Sequence, residues 1–145
     1  MYKIIFICTA NIFRSRFSEE VYNFLAKKNN LSSRAFSAGL KVGNYMTRKM
    51  YKPALKQLEI LNIEPKRAHE NSIHVDNINL DDYKKIVCMD KKEHMPMVKL
   101  NKNLNKYSIE YWNIVDIPEV KSDVSLPLCY KNVEYLISKI KKNLK

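Results

Sequence analysis

Cys8 and Arg14 stand six positions apart in the segment Cys8-Thr9-Ala10-Asn11-Ile12-Phe13-Arg14-Ser15. An ionised thiol is a powerful nucleophile. A guanidinium is a permanent cation whose planar fork matches two phosphate oxygens. Held on one tight loop, the pair suits attack on a bound phosphate. If the loop joins a strand to a helix, successive backbone N–H groups and the positive helix end face the same anion. Those dipoles also stabilise a thiolate. Ser15 is placed to donate a hydrogen bond to the sulfur. Asn11 tolerates left-handed backbone and has a side chain able to brace the loop. Thr9, Ala10, Asn11, Ile12, Phe13 and Ser15 are thus the expected phosphate-binding residues around the catalytic pair. A buried strand cysteine followed by an ordinary first-turn arginine would give the same short pattern, so the flanking elements must decide.

Those elements favour the loop. Tyr2-Lys3-Ile4-Ile5-Phe6-Ile7-Cys8 is short, β-branched and apolar with little alternation, which predicts a strand buried on both faces. From Arg14 onward Phe17, Val21, Phe24 and Leu25 recur at helical spacing. Ala35 to Ala38 reads as a second strand ended by Gly39. Arg48 to Leu61 reads as a helix with Met50, Ala54, Leu58 and Leu61 on one face and Pro53 in its first turns. Lys85 to Met89 is a third strand and Ser108 to Val115 a fourth. A C-terminal helix over about 128–144 turns Val133, Leu136, Ile137 and Ile140 inward. Strands alternating with helices predict an α/β fold, a three-layer α/β/α sandwich with a central four-stranded parallel sheet. Ligands in such folds sit at the carboxyl ends of the strands, where Cys8 and Asp116 both fall.

Composition narrows the class. A chain of 145 residues, 46% hydrophobic and 28% charged, fits one soluble globular domain over residues 1–145. The apolar run Ile4 to Cys8 is too short to span a bilayer and lacks the features of a secretory signal, so a cytoplasmic protein without membrane attachment is expected. Cys8, Cys88 and Cys129 are odd in number and widely spaced, which disfavours disulfides and structural zinc. His69, His74 and His94 show no metal-ligand spacing, so no metal is expected. The net charge of +11 comes mostly from lysines scattered along the chain, with five arginines and no aromatic–basic stacking motif. That pattern points to a solvated basic surface, attractive to anions, more than to a nucleic-acid partner.

The loop resembles that of the low-molecular-weight protein tyrosine phosphatases, with signature C-x-G-N-x-C-R-S. Ser37-Ala38-Gly39 resembles the family's S-A-G segment. Asp82-Tyr83 and Ile86-Val87-Cys88-Met89-Asp90 resemble its D-Y and C-M-D strand, and the stretch 112–118 stands where the family carries its acid loop. The resemblance covers essentially the whole chain. It implies that Cys8 forms a phosphocysteine, that Arg14 and the loop amides hold the phosphate, and that Asp116 is general acid and then base, with Glu119 and Asp123 in reserve. It further implies phosphotyrosine-containing proteins as substrates, inorganic phosphate as product, and a monomer. Thr9, Ile12, Val42, Tyr45 and Pro118 are the expected walls of the substrate slot.

The chain also departs from the pattern. Ala10 replaces a glycine, at a cost on the order of 1 kcal/mol if that position needs a positive φ. Phe13 replaces the second cysteine, which removes a vicinal disulfide. Arg16 replaces a common proline and is expected to add charge at the site mouth. Asp116-Ile117-Pro118 lacks the acid loop's tyrosines. Three alternatives stay open: a thiol-dependent arsenate reductase, a protein-arginine phosphatase, and a catalytically weak phosphate- or phosphoprotein-binding module.

Overall fold

The computed structural model describes residues 1–43, 47–117 and 119–143. Four parallel strands, β1 (Tyr2–Cys8), β2 (Ser33–Gly39), β3 (Lys85–Cys88) and β4 (Glu110–Tyr111), lie in the order β2-β1-β3-β4. Four helices accompany them: α1 (Arg14–Lys28), α2 (Lys52–Ile60), α3 (Lys91–Leu100) and α4 (Ser122–Asn143). This is the α/β fold expected from the sequence.

The buried run of β1 explains the layering. Its side chains alternate across the sheet, so Ile4, Phe6 and Cys8 join one core while Ile5 and Ile7 join another. The first core is filled from α1, α2 and α4 by Phe17, Val21, Leu58, Val133 and Ile137. The second is covered by Val98 of α3 and by Val75 and Leu80 from two short 3-10 turns. Strand β1 is buried on both faces because it is central, paired to β2 on one side and β3 on the other. The strand order reverses at this point, and Cys8 ends β1 there.

Several boundaries differ from the expected ones. Helix α2 starts at Lys52 instead of Arg48, with Pro53 in its first turn. Strand β4 keeps only Glu110 and Tyr111 of the eight residues expected, because beyond Tyr111 the chain leaves the ladder to form the segment that carries Asp116. Helix α4 begins at Ser122 and accommodates Pro127, since Ser125, Leu126 and Cys129 on that face are buried. Helix α3 was not expected: its sequence carries Pro96 and buries only His94 and Val98.

One glycine is demanded by packing. A Cβ at Gly39 would meet the Thr9 carbonyl oxygen at 2.8 Å, Asn11 Cβ at 3.0 Å and the Ala10 carbonyl carbon at 3.1 Å. Strand β2 therefore presses directly on the Cys8–Ser15 loop, and Leu40 and Lys41 donate backbone hydrogen bonds to Cys8 and Thr9. Gly39→Ala is expected to destabilise the fold by about 1–3 kcal/mol and to weaken inorganic phosphate binding. Thermal unfolding with and without phosphate checks both.

Candidate active site

The loop between β1 and α1 turns on Asn11, whose φ of 57° is left-handed. Asparagine is among the few side chains that adopt this conformation readily. Ala10 does not carry a positive φ, so the expected penalty at that position does not arise: the left-handed residue is its neighbour. Asn11 then locks the turn with its side chain, donating from Nδ2 to Ser15 Oγ (2.9 Å) and accepting from the Ile73 N–H (3.0 Å). Its own N–H points at Cys8 Sγ (3.3 Å), and Ser15 Oγ lies 2.9 Å from the same sulfur. Asn11 and Ser15 are completely buried and stand behind the cavity, holding the Cys8 sulfur in place.

Cys8, Thr9, Ala10, Ile12, Phe13 and Arg14 line a cavity of about 280 Å³, closed by Thr47, Tyr51, Asp116 and Ile117. Cys8 and Asp116 thus meet in one pocket, whereas Asp123 and Glu119 do not border it. Of the expected slot walls, Thr9 and Ile12 take part and Val42 does not; Tyr45 and Pro118 lie outside the described residues. Phe13 packs edge-on against Tyr51, with ring centroids 5.9 Å apart at 81°. The Tyr51 N–H donates to the Ile12 carbonyl oxygen (2.7 Å), which fixes this aromatic wall to the loop.

Arg14 is only 1% exposed and draws its partners from two later segments, α3 and the stretch after β4. It donates to the Ile114 carbonyl oxygen (2.7 Å) and to Glu93 Oε2 (3.0 Å), while Asp116 Oδ2 lies 3.3 Å from the same nitrogen that reaches Glu93. Burial alone would lower the guanidinium's pKa, but Cys8, Glu93 and Asp116 together raise it. Glu93 also accepts from Thr9 Oγ1 and lies 3.2 Å from His94 Nε2, and His94 Nδ1 accepts the Asp90 N–H. Burial would raise the Glu93 carboxyl, yet bonds from His94, Arg14 and Thr9, with the charge of Arg14, hold it well below the usual carboxylate range. Asp116 is shifted the other way: burial and the nearby Glu93 charge push its carboxyl up against the opposing pull of Arg14. Two carboxylates thus share one guanidinium and are displaced in opposite directions, Glu93 toward the anion and Asp116 toward the protonated acid.

Glu93 and His94 escaped sequence reading, since only the fold brings α3 against a loop some 80 residues earlier. The one available signal was the titratable pair following Asp90. Arg16 corrects another expectation. It does not face the site mouth but is 1% exposed, donating to the carbonyl oxygens of Asn11 (3.3 Å), Arg67 (2.5 Å) and Glu70 (2.9 Å). Arg67 in turn pairs with buried Glu19 (2.6 Å), and Glu20 accepts the N–H groups of Lys66 and Arg67. The segment 66–73 is thereby clamped behind the phosphate-type loop. Cys88 and Cys129 are buried, and burial pushes each thiol up to about 12. Among the described residues no group of three or more His, Cys, Asp or Glu side chains is arranged to hold a metal, and no helix is long and apolar enough to cross a membrane.

Replacing Glu93 by Gln removes a negative charge that raises Asp116. The Asp116 carboxyl then loses its proton at lower pH, so the alkaline limb of the rate profile for aryl phosphates should move toward acid. Loss of one charge-assisted bond to Arg14 should lower kcat/KM by roughly tenfold or less. A pH–rate profile of the two proteins measures both effects.

Comparison with known proteins gives the same picture. The chain superimposes on YfkJ from Bacillus subtilis with a TM-score of 0.85 at 21% identity, covering 100% of this chain and 98% of that one. An arsenate reductase from Archaeoglobus fulgidus gives 0.71 at 22% identity, covering 93% and 98%. A mutant of the YwlE arginine phosphatase with a phosphorylated active-site serine gives 0.77 at 18% identity, covering 97% and 96%. At these identities the likeness is one of fold. No curated protein matches the sequence. The sequence model of the low molecular weight phosphotyrosine protein phosphatase family, however, matches residues 3–145, and the chain belongs to that family.

Proposed function

We propose that the protein hydrolyses aryl phosphate monoesters, phosphotyrosine in proteins above all, through a phosphocysteine on Cys8. The observation that carries this reading is the single cavity in which Cys8, Arg14 and Asp116 face one another between apolar walls. The phosphoryl group sits on the loop, with its oxygens toward the backbone N–H groups and Arg14. The Cys8 thiolate attacks phosphorus, the bond to the phenolic oxygen breaks, and protonated Asp116 gives its proton to that oxygen. Asp116, now ionised, takes a proton from water as the water oxygen attacks phosphorus. The P–S bond then breaks, inorganic phosphate leaves, and the thiolate returns to the hydrogen bonds of Ser15 and the Asn11 N–H. Fixed donors aimed at developing charge supply most of the rate enhancement in such sites.

The substrate class rests on the walls. Ile12, Phe13, Tyr51 and Ile117 give a slot suited to an aromatic ring, with Phe13 and Tyr51 supplying its aromatic faces where the segment 116–118 carries no tyrosine. The fold is shared with an arginine phosphatase, but apolar Ile12 favours a ring over a guanidinium. Thiol-dependent arsenate reduction requires further cysteines to relay a disulfide. Cys88 and Cys129 are buried with thiols held protonated, which disfavours that chemistry. We expect a soluble cytoplasmic monomer that needs no cofactor.

Hydrolysis of p-nitrophenyl phosphate by the wild type should disappear in Cys8→Ser. A wild-type rate no greater than that of Cys8→Ser would leave only a phosphate-binding module. With phenyl phosphates of poor leaving group, Asp116→Asn should lower turnover by ~10²–10⁴-fold. An unchanged rate would transfer the acid role to Asp123 or Glu119.

A further inference from the structure

A second depression of about 860 Å³ opens beside the catalytic cavity, lined by Lys52, Pro53, Lys56, Ile60, Lys121 and Asp123 among others. Ile117 belongs to the walls of both. The spacing of α2 builds the groove: Lys52, Lys56 and Ile60 follow one another at four-residue intervals and form one stripe, while Ala54 and Leu58 on the other side enter the core. Tyr51, just before the stripe, closes the catalytic cavity. Lys121 faces the stripe from the chain entering α4.

Charge gives the groove its sign. Lys52, Lys56 and Lys121 are exposed, and among the described residues none has an ion pair or side-chain hydrogen bond. Asp123 is the groove's carboxylate, which leaves two positive charges uncompensated. Ile60 is 65% exposed and ends the stripe in an apolar patch. From Lys52 to Ile60 the helix rises about 12 Å, a span that roughly four extended residues cover.

We propose that this groove binds the polypeptide flanking the phosphorylated residue of a substrate, and that it selects segments carrying Asp or Glu within about four residues of that phosphate. The inference rests on the phosphatase reading of the neighbouring cavity. It adds the kind of protein the site takes: acidic around the phosphate, drawn by lysines that the reacting phosphate never touches. Exposed charges act through solvent, so the preference weakens with salt.

The test uses Cys8→Ser protein, which binds without turnover, and two fluorescent phosphotyrosine peptides of equal length, one flanked on both sides by Glu and one by Ser. At low salt the acidic peptide is expected to bind roughly three- to tenfold tighter, and ~0.5 M salt should erase most of the gap. Adding Lys52→Glu and Lys56→Glu should abolish or invert the preference. The same two substitutions in the protein with Cys8 intact should leave kcat for p-nitrophenyl phosphate at ~0.5 M salt unchanged, which also establishes that the fold is retained. Equal affinity for the two peptides, or a preference that survives the double substitution, overturns the proposal. Failure to hydrolyse any aryl phosphate overturns the catalytic reading instead, and the binding measurements decide the groove independently.

Discussion

The burial of the Arg14 guanidinium is the constraint around which this molecule is organised. A cation with 1% of its surface exposed is costly unless its donors meet acceptors. Here those acceptors come from α3 at Glu93 and from the loop after β4 at Ile114 and Asp116. Satisfying one arginine therefore draws two separate parts of the chain toward the loop that carries Cys8. On the proposed function the structural requirement and the chemical one coincide, because the charge that must be neutralised in the resting protein is the charge a phosphate would meet.

The same logic runs through the loop itself. Asn11 takes the left-handed conformation that reverses the chain, and its amide settles the debt of that turn by binding Ser15 and the Ile73 N–H. Behind it Arg16 ties the Asn11 carbonyl to the segment that Glu19 and Glu20 hold through Arg67 and Lys66. Gly39 presses from the other side with no room for a side chain. The loop is thus fixed by packing and by polar contacts before any ligand arrives, as a pre-organised anion site requires.

Local features of the sequence showed much of this. The unbroken apolar run of β1, the loop chemistry of Cys8 to Ser15 and the helical spacing of Phe17, Val21 and Leu25 are neighbours in sequence, so their meaning survives without a fold. Glu93 was illegible because its partner Arg14 is 79 positions away and α3 around it carries a proline and little apolar periodicity. Arg16 looked like an exposed charge because no local pattern reveals that backbone carbonyls of residues 67 and 70 surround it. The aromatic wall was hidden for the same reason: Phe13 and Tyr51 meet only when α2 docks beside the loop. What sequence withholds here is contact between distant segments, and those contacts push the Asp116 carboxyl up and give the cavity its walls.

Rapid acid quenching of the protein during turnover of a radiolabelled aryl phosphate tests the central claim most directly. The account predicts label bound covalently to the peptide that contains Cys8, appearing no later than the first equivalent of released phenol and disappearing as inorganic phosphate forms. Sustained hydrolysis with no label on that peptide at any quench time would contradict it.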